Sequence, residues 1–133
     1  PTDTIARQTR VTVYESVSYT EQRFPILAHG KVHMVNNVKP RWAHAALQAH
    51  LGAQIDSERN WYGPSAGKPQ NLFLDQDGTA TFTSSGDVFD AVPVPKFGGT
   101  PFPKPYGTLG TPMNAARRAE VLSHAGRGRV RVE

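Results

Sequence analysis

Five histidines in 133 residues are the side chains best suited to chemistry in this sequence. His29 with His33, and His44 with His50, invite a metal reading. Zinc takes four ligands in a tetrahedron, and neither pair has a carboxylate or thiolate at ligand spacing, so both pairs read as packing or surface histidines. Asp75, Asp77 and Gly78 match the centre of a calcium loop, but its first ligand position falls on Phe73 and its closing glutamate position on Ser84. Asp and Gly there are explained by a turn, where Gly takes positive φ and Asp bonds its own backbone. Gly98-Gly99, Gly107 and Gly110 do not follow a phosphate-loop order and read as bends. An N-terminal proline can serve as a base when its amine is desolvated, yet Pro1 precedes the polar run Thr2-Asp3-Thr4. No residue is assigned as catalytic, and neither a metal nor a cofactor is expected.

Two further chemistries rest on residue types alone. A metal-independent ribonuclease would use His29, His33 or His44 as acid or base, with Lys31 or Arg41 on the phosphorane charge. A nucleic-acid binder would stack bases on Trp61, Tyr62 and Phe97 and hold phosphates with the basic C-terminus. The formal charge is +4, and Arg117, Arg118, Arg127, Arg129 and Arg131 against Glu120 and Glu133 place +3 of it at that end. Aromatics in a small domain mostly fill its core, however, and alternating arginines usually mark a solvated strand face.

The elements that must position these residues are modest. The length suits one domain with one core. The absence of cysteine excludes disulfides and thiolate chemistry. No apolar run approaches the roughly 18 residues of a membrane helix, so no membrane span is expected. Pro1 is read as the residue left after removal of an initiator methionine or a leader.

Residues 10–19 alternate as a strand; Phe24–Met34 holds an edge segment and a strand around Lys31–Val35, and Asn36-Asn37 makes a turn. Pro40–Gly52 has helix formers, a proline in its first turn and a glycine stop, which predicts the main helix. Residues 56–70 form a polar loop carrying Trp61 and Tyr62. Asn71–Asp75, the Gln76-Asp77-Gly78 turn and Thr79–Thr83 give a hairpin signal, with a further strand over Asp87–Val92. A second helix follows Thr111-Pro112 and ends near Gly126; Arg127–Glu133 reads as a short edge strand or tail. No internal repeat is evident.

Between Val92 and Pro112 lie six of the eleven prolines. Proline fixes φ, lacks an N–H and pushes its preceding residue to extended geometry, so this stretch is an arm carrying Phe97, Phe102, Tyr106 and Leu109. The fold class expected is α+β: a small, mostly antiparallel sheet with one main helix, a second short helix and the extended arm. The organisation expected is a body over 1–91, the arm over 92–112, and a short helix with a basic strand or tail over 113–133. Large rings on an arm without a fold of its own need a surface, and the reading adopted is a neighbouring subunit. The chain is therefore expected to be a non-enzymatic structural subunit of a large assembly, a virion in preference to an organellar or cytoskeletal complex. Its partners would be protein subunits, with nucleic acid as the alternative, bound through Trp61, Tyr62, Phe97, Phe102, Tyr106, Arg127, Arg129 and Arg131.

Overall fold

Four times the chain breaks a strand at a two-residue corner: Glu15-Ser16, Asn36-Asn37, Arg59-Asn60 and Gly86-Asp87. The first residue of each corner has positive φ, at 52, 52, 54 and 68°. That left-handed residue swings the chain sharply aside, so the next strand belongs to a different sheet. In the computed structural model, which describes residues 10–19, 26–41, 45–64, 71–75, 77–92 and 94–124, the result is a stack of coils. The described strands are β1 Arg10–Tyr14, β2 Val17–Tyr19, β3 Ile26–Ala28, β4 Lys31–Val35, β5 Val38–Arg41, β6 Ala45–His50, β7 Gln54–Glu58, β8 Trp61–Tyr62, β9 Asn71–Asp75, β10 Thr81–Ser85 and β11 Val88–Phe89; one helix, α1, spans Ala115–His124. Sheet 1 has the order β1-β4-β7-β10, sheet 2 the order β2-β5-β8-β11, and sheet 3 the order β3-β6-β9. Every pairing is parallel. The architecture is β-helix-like.

Register in sheet 1 lines up equivalent residues of successive coils. Val32, Ile55 and Phe82 form one inward row, and Met34 stands beside Ser57 in the next. These side chains meet Leu47, Ala49 and Leu72 of sheet 3 and Tyr62 of sheet 2 in one core. The alternate rows, Arg10-Lys31-Gln54-Thr81 and Thr12-His33-Asp56-Thr83, therefore face outward. On sheet 2 the outward residues Val17, Val38, Trp61 and Val88 are covered by Met113 and by Val121 and Leu122 of α1. Asn114 caps that helix, accepting from the Arg117 N–H at 2.8 Å.

The corners are tied together through their second residues. Asn37 Oδ1 accepts from the Ser16 N–H at 2.9 Å and its hydroxyl at 2.7 Å, while Asn60 Oδ1 accepts from the Asn37 N–H at 2.8 Å and its amide at 3.0 Å. Asp87 Oδ1 accepts from the Asn60 N–H at 2.8 Å. Each asparagine also donates back to the strand below, Asn37 to the Val13 carbonyl at 2.9 Å and Asn60 to the Met34 carbonyl at 2.9 Å. Both are essentially inaccessible to solvent. Burial raises the Asp87 carboxyl above the usual carboxylate range at the last rung.

Four expectations are corrected here: the fold class, the hairpin, the main helix and the absence of a repeat. The sheet is not mostly antiparallel, and the class is not α+β. Strands adjacent in sequence are sent to different sheets by the corners, so each pairs with its equivalent one coil away. The Asp77-Gly78 turn consequently joins β9 and β10 without making a hairpin: β9 pairs with β6 and β10 with β7. The main helix expected over Pro40–Gly52 is instead the end of β5 and all of β6. Leu47 and Ala49 both enter the core two residues apart, a strand period that tertiary packing imposes over local helix propensity. Pro40 falls where the β2–β5 register shifts, a place that tolerates a missing N–H. An internal repeat does exist: Arg10, Lys31, Gln54 and Thr81 are equivalent, at intervals of 21, 23 and 27 residues. Strand β4 and the turn at Asn36-Asn37 lie where the sequence places them.

Lys39 points into the stack and is 2% exposed. Desolvation lowers its pKa from 10.5 to about 7. A lysine whose folded pKa is depressed makes the unfolded chain the better proton binder between the two values, so stability rises with pH from about 7 toward 10.5.

Two outcomes follow. Asn60→Ala leaves the Asn37 N–H without its acceptor and removes the amide that donates to the Met34 carbonyl, and should lower unfolding free energy by about 2 kcal/mol or more in a denaturant titration, at roughly 1 kcal/mol or more per buried group left unpaired. Wild-type stability should rise by about 2 to 3 kcal/mol from pH 7 to 9, at about 1.4 kcal/mol per pH unit, and Lys39→Met should flatten that slope.

Candidate functional site

The arm crosses the outer face of sheet 1. It starts at the end of the stack, where the Gly98 N–H donates to the Phe82 carbonyl at 3.1 Å, and passes Thr81 at Gly99. The Phe102 N–H then donates to Asp56 Oδ2 at 2.8 Å, and Lys104 pairs with the same carboxylate. Thr83 donates to Asp56 Oδ1 at 2.9 Å. This carboxylate is 2% exposed, so a cation and two neutral donors replace the water it has lost. Further on, Asn36 holds Thr111 by two hydrogen bonds of 2.8 Å, one to its carbonyl and one from its N–H. Gly110, at φ 81°, passes so close that a Cβ there would sit 2.6 Å from Asn36 Oδ1.

Beneath and around the arm, ionisable groups converge. The Phe102 ring lies under the Lys104 ammonium at 4.1 Å, with Lys31 at 5.9 Å. Arg10 donates to the Pro103 carbonyl at 3.4 Å. Three cations thus surround two residues of the arm. Next to them the Tyr106 hydroxyl sits 2.7 Å from His33 Nδ1 and 2.7 Å from the Thr12 hydroxyl. His33 Nε2 faces Glu58 at 3.4 Å, and the other Glu58 oxygen holds Arg59 at 3.0 Å. Nε2 makes no hydrogen bond at that distance, but the facing carboxylate favours the tautomer with the proton on Nε2, in which Nδ1 accepts from Tyr106. Burial lowers the His33 pKa and outweighs the pull of Glu58, which favours the neutral ring. Tyr106 itself remains 37% exposed.

This arrangement can deliver or remove a proton at the Tyr106 oxygen, with a neutral imidazole behind it, beside a cluster of positive charge that suits an acidic ligand. A resident divalent cation does not fit. Among the described residues no three His, Asp or Glu side chains gather as ligands, and both Asp56 oxygens are already engaged by Thr83, Phe102 and Lys104.

The residues singled out in the sequence are scattered. Phe102 is buried against the sheet, while Phe97 and Tyr106 are partly open to solvent on the chain's own coils. Tyr62 is wholly inside, its hydroxyl 2.6 Å from Ser57 Oγ and its ring stacked on Phe89. Trp61 lies on the far side, on sheet 2, with Arg118 over its ring at 5.3 Å. Arg127, Arg129 and Arg131 lie outside the described residues, as does His44. His33, Asp56, Lys31 and Lys104 come together only through the parallel register and the arm. The signal for them was the alternation of polar outward positions in Lys31–Val35 and Gln54–Glu58, which has meaning only once those strands are known to be neighbours.

A family model described as pectate lyase matches residues 4–130. No curated protein and no solved structure gives a significant match. The family match overturns the expectation of a non-enzymatic virion or assembly subunit. The physical ground for that expectation is removed as well, because the surface the arm needs is supplied by its own sheet 1.

Removing Lys104 leaves a buried carboxylate without its cation. Lys104→Ala should cost about 3 kcal/mol of stability, as breaking a buried pair does, and should expose the arm around Gly107 to limited proteolysis.

Proposed function

The chain belongs to the pectate lyase family, and from that premise we propose that it is a polysaccharide lyase that cleaves a polyuronate on the outer face of sheet 1. The observation that carries the assignment of the site is the Tyr106 hydroxyl, 2.7 Å from His33 Nδ1 on a residue 37% exposed, with Lys31, Lys104 and Arg10 gathered around Phe102 and Pro103 of the same arm.

Eliminative cleavage of a uronan linked through C4 begins with loss of the C5 proton, which is α to the carboxylate. The electron pair forms the C4–C5 double bond, the bond from C4 to the departing oxygen breaks, and that oxygen takes up a proton. Two demands follow: positive charge on the carboxylate, to stabilise the carbanion-like transition state, and a base positioned at C5. Lys31 and Arg10 meet the carboxylate, with Lys104 shared between substrate and Asp56. Tyr106 hands its hydroxyl proton to His33 Nδ1 as its oxygen takes the C5 proton. The proton on His33 then returns through Tyr106 to the departing oxygen, so the site ends as it began. Thr12 fixes the hydroxyl, and Glu58 fixes the imidazole and stabilises it when charged. These roles suit a substrate with one negative charge per sugar, since successive carboxylates can meet cations on neighbouring coils about 4.8 Å apart.

The measurement is release of the conjugated unsaturated uronide from polygalacturonate, followed by ultraviolet absorbance. Tyr106→Phe keeps the ring and loses the proton, and should lower kcat about 100-fold or more with little change in KM. The acid limb of the wild-type profile should lie below the ordinary histidine value, because burial lowers the His33 pKa. Full activity in Tyr106→Phe would remove Tyr106 from the chemistry. No unsaturated product from the wild type would overturn the lyase reading.

A further inference from the structure

At the end of the coil stack, away from His33 and Tyr106, there is a concavity of about 400 Å³. Phe73 and Asp75 of β9, Thr81 and Phe82 of β10, and Lys96 and Phe97 from the start of the arm line it. Its volume is within the roughly 300–1,000 Å³ usual for small-molecule sites and has room for one or two sugar rings.

Phe97 closes the end of the core with one face. Its ring lies 5.9 Å from that of Phe82 at 17° and 6.1 Å from Phe89 at 38°. Together with the Gly98 hydrogen bond to the Phe82 carbonyl, these contacts fix its orientation before any ligand arrives. Yet Phe97 remains 45% exposed, so the ring offers a flat, pre-set surface to the cleft. Lys96, the residue before it, is exposed. Across the cleft Asp75 is held by its Oδ1, which accepts from the N–H groups of Gly78 at 3.1 Å and Ala80 at 3.2 Å. An aromatic face, a cation and an anchored carboxylate are what one acidic pyranose requires. The sugar's C–H face is apolar and slightly positive and suits the negative face of the ring; its carboxylate suits the ammonium; its hydroxyls can donate to Asp75.

We propose that this cleft is a separate binding subsite for a single uronate ring of an oligouronate, stacked on Phe97 and held by Lys96 and Asp75. The proposal rests on the polyuronate reading above, which supplies the class of ligand. None of the three residues belongs to the Tyr106–His33 arrangement. The cleft therefore contributes affinity for chains long enough to reach it and leaves the bond-breaking step unchanged.

Gly98 provides a clean steric probe, because a Cβ there meets nothing within 4 Å and its φ is not in the left-handed range. Gly98→Leu should fill the cleft without straining the backbone. The experiment titrates the nitrogen-labelled full chain with a galacturonate trimer, and with a neutral glucose trimer as control, and follows backbone amide shifts. Shifts at Lys96, Gly98 and Thr81 with the acidic trimer, weakened about ten-fold in affinity by Phe97→Ala and by Gly98→Leu, are the expected result. Shifts confined to Lys31, His33 and Tyr106, and unaltered by either variant, overturn the cleft while leaving the lyase reading in place. Shifts at the cleft alone, with no unsaturated product formed, support the subsite and overturn the lyase reading. Equal shifts with the neutral trimer overturn the role of Lys96. No shift with either trimer overturns the subsite.

Discussion

A side-chain amide that accepts from one coil and donates to another is the bond on which this architecture depends. Each corner between sheets 1 and 2 has a left-handed residue followed by a polar one, buried in the two middle coils as Asn37 and Asn60, and burial deprives the corner's peptide groups of water. Ser16, Asn37, Asn60 and Asp87 answer that need in series, each accepting from, or donating to, the corner next to it. The ladder therefore does more than satisfy polar groups. It holds the coils in a single register, and register decides which residues of sheet 1 become neighbours. Had β7 slipped by one residue against β4, Asp56 would enter the core and Ile55 would face the arm.

That register produces a face rich in charge, and the arm is a response to it. Asp56 sits among strands that offer it only the Thr83 hydroxyl. A carboxylate in that position must find charge and donors to replace the water it has lost. The arm brings an ammonium and a backbone N–H in two residues of the same segment, and its prolines have already restricted the unfolded chain, so less entropy is lost when it docks. Its rings are placed unequally. Phe102 is inserted between lysines, Tyr106 is 37% exposed, and Phe97 is at the mouth of the stack. Fold stability and chemical potential therefore share the same residues on this face, which is a common condition where function requires polar groups in a packed environment.

Much of this was legible locally and little of it globally. Strand β4, the Asn36-Asn37 turn, the extended character of the arm and a helix near the C-terminus can be read from alternation, turn chemistry, proline and capping. The coil repeat was present too, in a polar residue followed by a large apolar one: Ser16-Val17, Asn37-Val38, Asn60-Trp61 and Asp87-Val88. Unequal spacing hid it, since intervals of 21, 23 and 27 residues do not register as a period. The Pro40–Gly52 segment misleads for a physical reason: alanine and leucine favour a helix alone, while the pairing of β6 with β3 and β9 on either side outweighs that preference. The site was not legible because its members lie far apart in the chain, Thr12 and Tyr106 by 94 residues and His33 and Tyr106 by 73, and none belongs to a local motif.

The three corners of a coil are not alike. The one between sheets 1 and 2 is two residues long in every turn of the stack, whereas the connections into sheet 3 span six, three and eight residues and those out of it two, three and five. Differences in coil length are thus absorbed on the side of the molecule remote from the ladder. Insertions can be accommodated there without moving Lys31, His33 or Asp56 relative to one another. A solenoid whose rungs are pinned at one vertex and slack at the other two can change its girth while its charged flank stays in alignment.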